Sequence, residues 1–399
     1  MLKQFRQHFG ISFWGRGFRP FFLLGAVYAV LVVSAWVIFL QGIIDVPIFW
    51  TNPVLWHAHE MIYGFTVAII AGFLLTAVAN WTGSAPVRCA NLALLCLIWV
   101  AGRITFWCTL VSPIFVSLID LSFLPLLAVS LSIPLIRTGN KHNFMFLGML
   151  SLLFLGNLHM HLAAAGIVGG DPRITAYASI IVAMSIISIV GSRIIPSFTI
   201  AGLRMSGQVL YQTDQVRTDI IAMSLLLILA IAVLAIGLES SVTGLCALGA
   251  GLVHLWRMRF WHTLKTGSEP LLWILHAGHL WLVVGLLTLG LYSFHLIDQA
   301  SLALHMLTVG CIGSLTIGMM SRVVLGHTGR RIVASGSVVI SFWMMQGATL
   351  FRCLAILTQD ENYNLWIAGS GTLWATAFVI YLVVHTPMLL GPRPDGMEA

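Results

Sequence analysis

Fourteen histidines stand in this chain against thirteen acidic residues, and seven of them gather on four of its long apolar runs: His57, His59, His159, His161, His276, His279 and His305. An imidazole surrounded by hydrocarbon is costly unless it is hydrogen-bonded or ligated. Neutral imidazole nitrogen binds copper and haem iron well, so the set reads as a pool of metal ligands, with the satisfied core histidine as the rival reading at each position. Spacing sorts the pairs. Residues at i and i+2 of a regular helix point about 200° apart, so His57 and His59 face two centres on opposite sides of one helix. His276 and His279, at i and i+3, share a face and serve one centre or bond to one another.

Other groups in the apolar runs need partners of their own. Glu60 follows His59 directly and either orients a ligand imidazole or carries protons to a buried centre. Arg103 lies mid-run and pairs with a haem propionate or with a carboxylate such as Asp120. Arg193 and Arg322 close two runs in similar wording, Ser192-Arg193-Ile194-Ile195 and Ser321-Arg322-Val323-Val324. An interfacial anchor accounts for both arginines; Arg322, with Arg103, is also a candidate contact to the anionic edge of a cofactor. The likeness of the two tetrapeptides hints at a repeated four-helix unit in which the second, sixth and tenth helices are equivalent. The six cysteines have no CxxC spacing, so neither a disulfide framework nor a zinc knuckle is expected, and without CxxCH any haem is b-type rather than covalently attached.

The elements that must position these residues follow from composition. With 59% hydrophobic and 8% charged residues, 399 residues cannot cover a water-facing surface. The net charge of +7 does not mark a nucleic-acid surface, because the basic residues lie in short loops between apolar runs. Those runs fall at 20–42, 54–80, 89–110, 114–136, 143–167, 175–196, 218–238, 241–261, 270–292, 299–325, 333–356 and 363–387. Backbone in a lipid bilayer must satisfy its own hydrogen bonds, so the expectation is an all-α integral membrane protein with twelve transmembrane helices in one bundle, a single domain over 1–399. The first run, preceded by Lys3, Arg6, Arg16 and Arg19, is read as a retained helix. With the N-terminus inside, 17 of the 20 lysines and arginines fall on cytoplasmic segments, which puts both termini in the cytoplasm, while acids such as Asp45, Asp171 and Asp360 lean outward. This threading places His57, His59, His159, His161 and His305 towards the outer face, with His276 and His279 deeper. Trp56 and Trp81 bracket the second run as interfacial anchors, and residues 197–217 form the longest inner loop, a polar connector.

Several blocks are specific enough to suggest a family. Gly17-Phe18-Arg19-Pro20-Phe21-Phe22, Trp56-His57-Ala58-His59-Glu60-Met61, Gly72-Phe73-Leu74-Leu75-Thr76-Ala77, Asn80-Trp81-Thr82-Gly83, Leu304-His305-Met306-Leu307-Thr308-Val309-Gly310 and Leu325-Gly326-His327-Thr328-Gly329-Arg330 resemble the NnrS family, over about residues 15 to 390. The resemblance implies a twelve-span protein of the bacterial inner membrane that contains haem and copper, is linked to nitric oxide and denitrification, and protects against nitrosative stress. It favours His57, His59, His161, His276, His305 and His327, with His327 as a structural or propionate-side contact. The haem–copper oxidases and their nitric-oxide reductase relatives offer a fold analogy, since there too an H-x-H on one helix serves two haems.

The functional expectation is therefore a haem and copper membrane protein that binds or reduces nitric oxide, with quinol as electron donor and Glu60 as proton carrier in the reductase version. Two rivals stand beside it. A transporter or channel lined by His and Glu would show paired helices broken at the midplane, which Pro125, Pro134 and Pro196 do not supply. An assembly factor passing haem or copper to denitrification enzymes would leave those enzymes metal-poor when deleted.

Overall fold

The structure, a computed structural model, describes residues 12–46, 52–108, 110–205, 207, 210–358 and 361–397; Lys3, Arg6 and Asp360 lie outside them. Among the described residues there are twelve helices of 17 residues or more and no strand. They are α1 (Phe18–Leu40), α2 (Pro53–Thr82), α3 (Cys89–Thr105), α4 (Pro113–Arg137), α5 (Phe144–Ala164), α6 (Pro172–Met205), α7 (Val216–Ile236), α8 (Ser241–Met258), α9 (Pro270–Ser293), α10 (Ala300–His327), α11 (Gly336–Thr358) and α12 (Tyr363–Leu390). Ten are long and apolar enough to cross a membrane; α3 and α8 fall short of that test. The protein is an all-α, multi-pass membrane protein, and each of the twelve apolar runs of the sequence falls on one of these helices.

Local chemistry sets the helix ends. Proline opens α2, α4, α6 and α9, where its missing N–H costs nothing. The Asn52 side chain accepts a hydrogen bond from Val54 N at 2.9 Å at the start of α2, and Gly83, at φ +62°, ends it. Within α2 and α10 the α-helical turn widens to a π-helix, over Glu60–Thr66 and Met306–Gly313, immediately after His59 and His305. Such wide turns are rare and concentrate at functional sites.

Two expectations are corrected here. The sixth helix does not stop at Pro196 but runs on to Met205, so the inner connector is shorter than 197–217. Just beyond the proline, Ser197 Oγ donates to Ile194 O at 3.0 Å and Thr199 Oγ1 to Ile195 O at 2.7 Å, so these hydroxyls are satisfied within the helix. Trp56 is not an interfacial anchor. It is fully buried between Trp36 and Trp107, with ring centroids at 6.4 and 5.6 Å, and so serves as packing near the N-terminal end of α2. Trp81 stacks on Phe146 at 5.4 Å.

The chain divides into two compact units, Met1–Ala176 with Arg322–Val333 and Phe378–Ala399, and Tyr177–Ser321 with Ala334–Ala377. In the first, α2 is the central helix: 89% of its most apolar stretch is buried, against 28% for α1. Small residues let α1 reach it. A Cβ added to Gly25 would lie 2.5 Å from Ile69, and one added to Gly72 would lie 2.9 Å from Phe21. The unit is closed by the chain's end. Arg19, fully buried, donates from Nη1 to Leu389 O at 2.8 Å and Gly391 O at 2.7 Å, neutralising the negative end of α12. Arg393 Nη1 donates to His327 O at 3.0 Å, and the His327 ring lies 5.5 Å from that of Phe18.

The α1–α2 approach is testable. Gly25→Leu overpacks it and is expected to destabilise the protein by about 1–3 kcal/mol. Gly148→Ala, where a Cβ meets nothing within 4 Å, serves as the control and leaves stability unchanged or slightly raised. Equal melting temperatures for the two variants in detergent would show that the two helices have room to spare.

Candidate metal centre

Five helices of the first unit send polar side chains to one buried point. α2 supplies His59 and Glu60 where its turn widens, α1 supplies Tyr28, α3 Arg103, α4 Ser117 and Asp120, and α5 Asn157 and His161. Gly64, one turn below Glu60, makes the convergence possible: a Cβ there would lie 2.6 Å from the Tyr28 ring and 3.0 Å from Arg103 Nη1. All but Ser117 are buried.

The hydrogen bonds are dense. Arg103 bridges the two carboxylates, donating from Nη1 to Glu60 Oε1 at 2.9 Å and from Nη2 to Asp120 Oδ1. Tyr28 OH donates to Glu60 Oε2. His59 Nδ1 lies 2.7 Å from Glu60 Oε1, and its Nε2 lies 2.9 Å from Asn157 Oδ1 and 3.3 Å from Asp120 Oδ2. His161 Nε2 lies 3.0 Å from the same Asp120 Oδ2, and its Nδ1 lies 3.0 Å from Ser117 Oγ. Asn157 Nδ2 donates to Asp120 Oδ2 at 2.8 Å.

With the Ser117 hydroxyl donating to Pro113 O, its oxygen accepts the Nδ1–H of His161, and Glu60 accepts the Nδ1–H of His59. In that tautomer both Nε2 atoms face Asp120 Oδ2, and that of His59 also faces Asn157 Oδ1. Two carboxylates face one guanidinium, so a proton or a metal cation among these atoms balances the charge. The donor atoms of His59, Asp120 and His161 lie within 4.8 Å of one another. Each imidazole is steered through Nδ1 by a carboxylate or hydroxyl while Nε2 faces the centre, the pattern of metal-ligating histidines.

The remaining sequence candidates lie elsewhere. His57 stacks on Trp36 at 4.5 Å and 12°, turned away from the His59 cluster as i and i+2 geometry requires. His159 Nδ1 bonds to Thr175 Oγ1 at 2.9 Å. In the second unit, His276 is held at both nitrogens, by Thr199 Oγ1 at 2.9 Å and Thr263 Oγ1 at 3.0 Å. His279 is fully buried beside Trp261 and His254, and neither of its ring nitrogens has a hydrogen-bond partner among the described residues. His305 Nδ1 donates to Ser301 O at 2.7 Å. Arg322 is buried near the C-terminal end of α10, and His327 sits in the contact with Arg393 described above. Of the two partners considered for Arg103, the structure gives the carboxylate. Tyr28, Ser117 and Asn157 carry no signal in the sequence beyond being polar residues in apolar runs. His254, fully buried against Ser188 Oγ at 2.9 Å, is marked only by Arg257 one turn further on.

Arg103 is the group whose removal should matter most. Arg103→Ala leaves two buried carboxylates unpaired and is expected to cost about 3–5 kcal/mol. The double variant Arg103→Gln with Glu60→Gln removes one charge of each sign and should regain much of that loss. If the double variant unfolds as readily as Arg103→Ala, the ion pair is not what holds the site.

Comparison with known proteins gives one finding of weight. No curated protein matches the chain. A family model described as NnrS protein matches residues 12–393, a span that includes all twelve helices and every member of the buried cluster. The chain therefore belongs to the NnrS family.

Proposed function

We propose that this is a copper- and haem-containing protein of the bacterial inner membrane that binds nitric oxide and protects the cell from nitrosative stress, and that His59, Asp120 and His161 hold the copper. Family membership supports a metal-binding, nitric-oxide-related membrane protein at the coarse level. The observation that carries the assignment is the convergence of two imidazole nitrogens and a carboxylate oxygen, all buried and within 4.8 Å of one another, where two carboxylates face one guanidinium. A cuprous ion suits it, because imidazole is a good copper ligand and a single positive charge balances the two carboxylates and Arg103. When bound, copper supplies a redox-active Lewis acid that a diatomic ligand can approach.

The chain's own residues then have definite tasks. Glu60 accepts from Tyr28, His59 and Arg103 at once, so it is a positioning residue that fixes the His59 ring; releasing a proton carrier from that grip would first break the ion pair. Ser117 fixes His161, and Arg103 fixes Asp120. Beside them lies a cavity about the size of one water, lined by Tyr63, Val67, Trp99, Phe123, Leu124 and Asn157. A porphyrin does not fit this space, so the haem belongs to another part of the chain. In the reductase version, two NO, two electrons and two protons give N2O and water, with quinol as the electron source.

Elemental analysis of the purified protein tests the site. Wild type should carry copper, and His161→Ala and Asp120→Asn should lose it while remaining monodisperse in detergent; full copper in both variants would overturn the assignment. Anaerobic NO consumption with a quinol donor tests the chemistry. Turnover above a haem-free control supports reduction, and a rate equal to the control ends that version in favour of NO binding.

A further inference from the structure

Two sequence blocks that the metal centre does not use, Gly17-Phe18-Arg19-Pro20 and Leu325-Gly326-His327-Thr328-Gly329-Arg330, meet at one end of the first unit. Arg16 and Arg19 come from the start of α1, Arg330 from just past the end of α10, and Arg393 from just past the end of α12. Tertiary contacts gather them. Arg19 Nη1 donates to Gly391 O at 2.7 Å across 372 positions of chain, and the Phe18 and His327 rings lie 5.5 Å apart. Arg393 Nη1 donates to His327 O at 3.0 Å. A Cβ added to Gly329 would lie 3.3 Å from Arg393 Nη2, and Arg330 is the next residue.

An arginine that merely anchors a helix end keeps its head in water. Here Arg19 is fully buried, and Arg16, Arg330 and Arg393 are half-buried. Counter-charge is short. Among the described residues, Asp395 pairs with Arg393 alone, at 2.5 Å. Arg16 has only Asn80 Oδ1 at 3.1 Å, and Arg330 the Thr328 carbonyl at 3.2 Å. Arg19 has the carbonyls that close α12, while its Nε and Nη2 have no partner among the described residues. Four guanidiniums thus face one carboxylate and the C-terminal ends of α10 and α12. Each helix end is equivalent to about half a negative charge, so about two positive charges stay unmatched. Burial and the nearby Arg393 push the Arg16 guanidinium below its usual range, as crowded cations require. Cys89 N donates to Trp14 O at 2.9 Å, which brings the exposed Arg88 to the rim of the same cluster.

We infer that Arg16, Arg19, Arg330 and Arg393 form a phosphate site that holds the head of an anionic phospholipid. Guanidinium forks match the oxygens of a phosphate, and basic pockets among the ends of membrane helices take anionic head groups. Arg16 and Arg330, which keep accessible surface, reach the phosphate, and Arg19 adds charge from within the fold. The apolar tails have a surface too: Val379 and Val383, 43% and 71% exposed, lie on the helix that ends at the site. Free phosphate carries the same chemistry without the tails. A bound head bridges the start of α1 and the ends of α10 and α12, and so stabilises the first unit. No metal takes part, so the site stands or falls apart from the copper assignment.

The experiment heats purified full-length protein in dodecyl maltoside with phosphatidylglycerol, phosphatidylcholine or inorganic phosphate, and counts retained lipid by native mass spectrometry. Phosphatidylglycerol should raise the melting temperature and stay bound, and the other two should do neither. Arg16→Gln with Arg330→Gln should weaken phosphatidylglycerol binding on the order of tenfold or more. Arg16→Gln alone, which leaves the Arg19 and Arg393 contacts in place, should weaken it about fivefold. Arg137→Gln, at an exposed arginine ending α4, should bind as wild type does. Wild-type binding by Arg16→Gln and by the double variant would overturn the site, as would equal retention of phosphatidylcholine. Stabilisation by inorganic phosphate as large as that by phosphatidylglycerol would overturn the lipid as its source.

Discussion

The centre of this protein is a guanidinium held between two carboxylates inside a membrane helix bundle. Arg103 reaches Glu60 on α2 and Asp120 on α4, and each carboxylate then fixes a histidine, so one cation from α3 sets the lateral positions of three other helices. Such an assembly costs desolvation energy that hydrocarbon packing would not, and its value lies in the geometry it enforces. The two imidazoles are turned so that Nδ1 meets Glu60 or Ser117 while Nε2 faces Asp120. Gly64 and Gly102 keep the space beside the arginine clear, the second with its Cβ position 3.4 Å from Asp120.

The widened turn of α2 belongs to the same design. A π-turn adds a residue without ending the helix, which shifts the register of everything after it relative to His59 and Glu60. The residues before it can thus serve the polar cluster while Gly72 and its neighbours, further along, keep the close approach to α1. The same wide turn follows His305 in α10, where Met306 rather than a carboxylate comes next.

Much of this was legible in the sequence. The all-α membrane fold follows from apolar length and the cost of unsatisfied backbone in lipid, and His57-x-His59-Glu60 identifies itself by placing three polar groups in an apolar run. Arg103 announced a need for a carboxylate, and Asp120 was a visible candidate. What the sequence could not show is which helices lie side by side. Asn157, Ser117 and Tyr28 acquire roles only because α5, α4 and α1 surround α2, and nothing in their own segments marks them. His276 resembles a ligand by type and spacing, and the structure adds what the sequence could not, that Thr199 and Thr263 lie at its two nitrogens. Pro196 reads as a helix end because proline lacks the N–H that continues the ladder and polar residues follow it.

The tie between Arg19 and the carbonyls of Leu389 and Gly391 links the first helix to a segment 370 residues further along the chain. Loss of the α12 end would leave a buried guanidinium without the acceptors that make its burial tolerable, so the two helices are held to one another by the cost of parting.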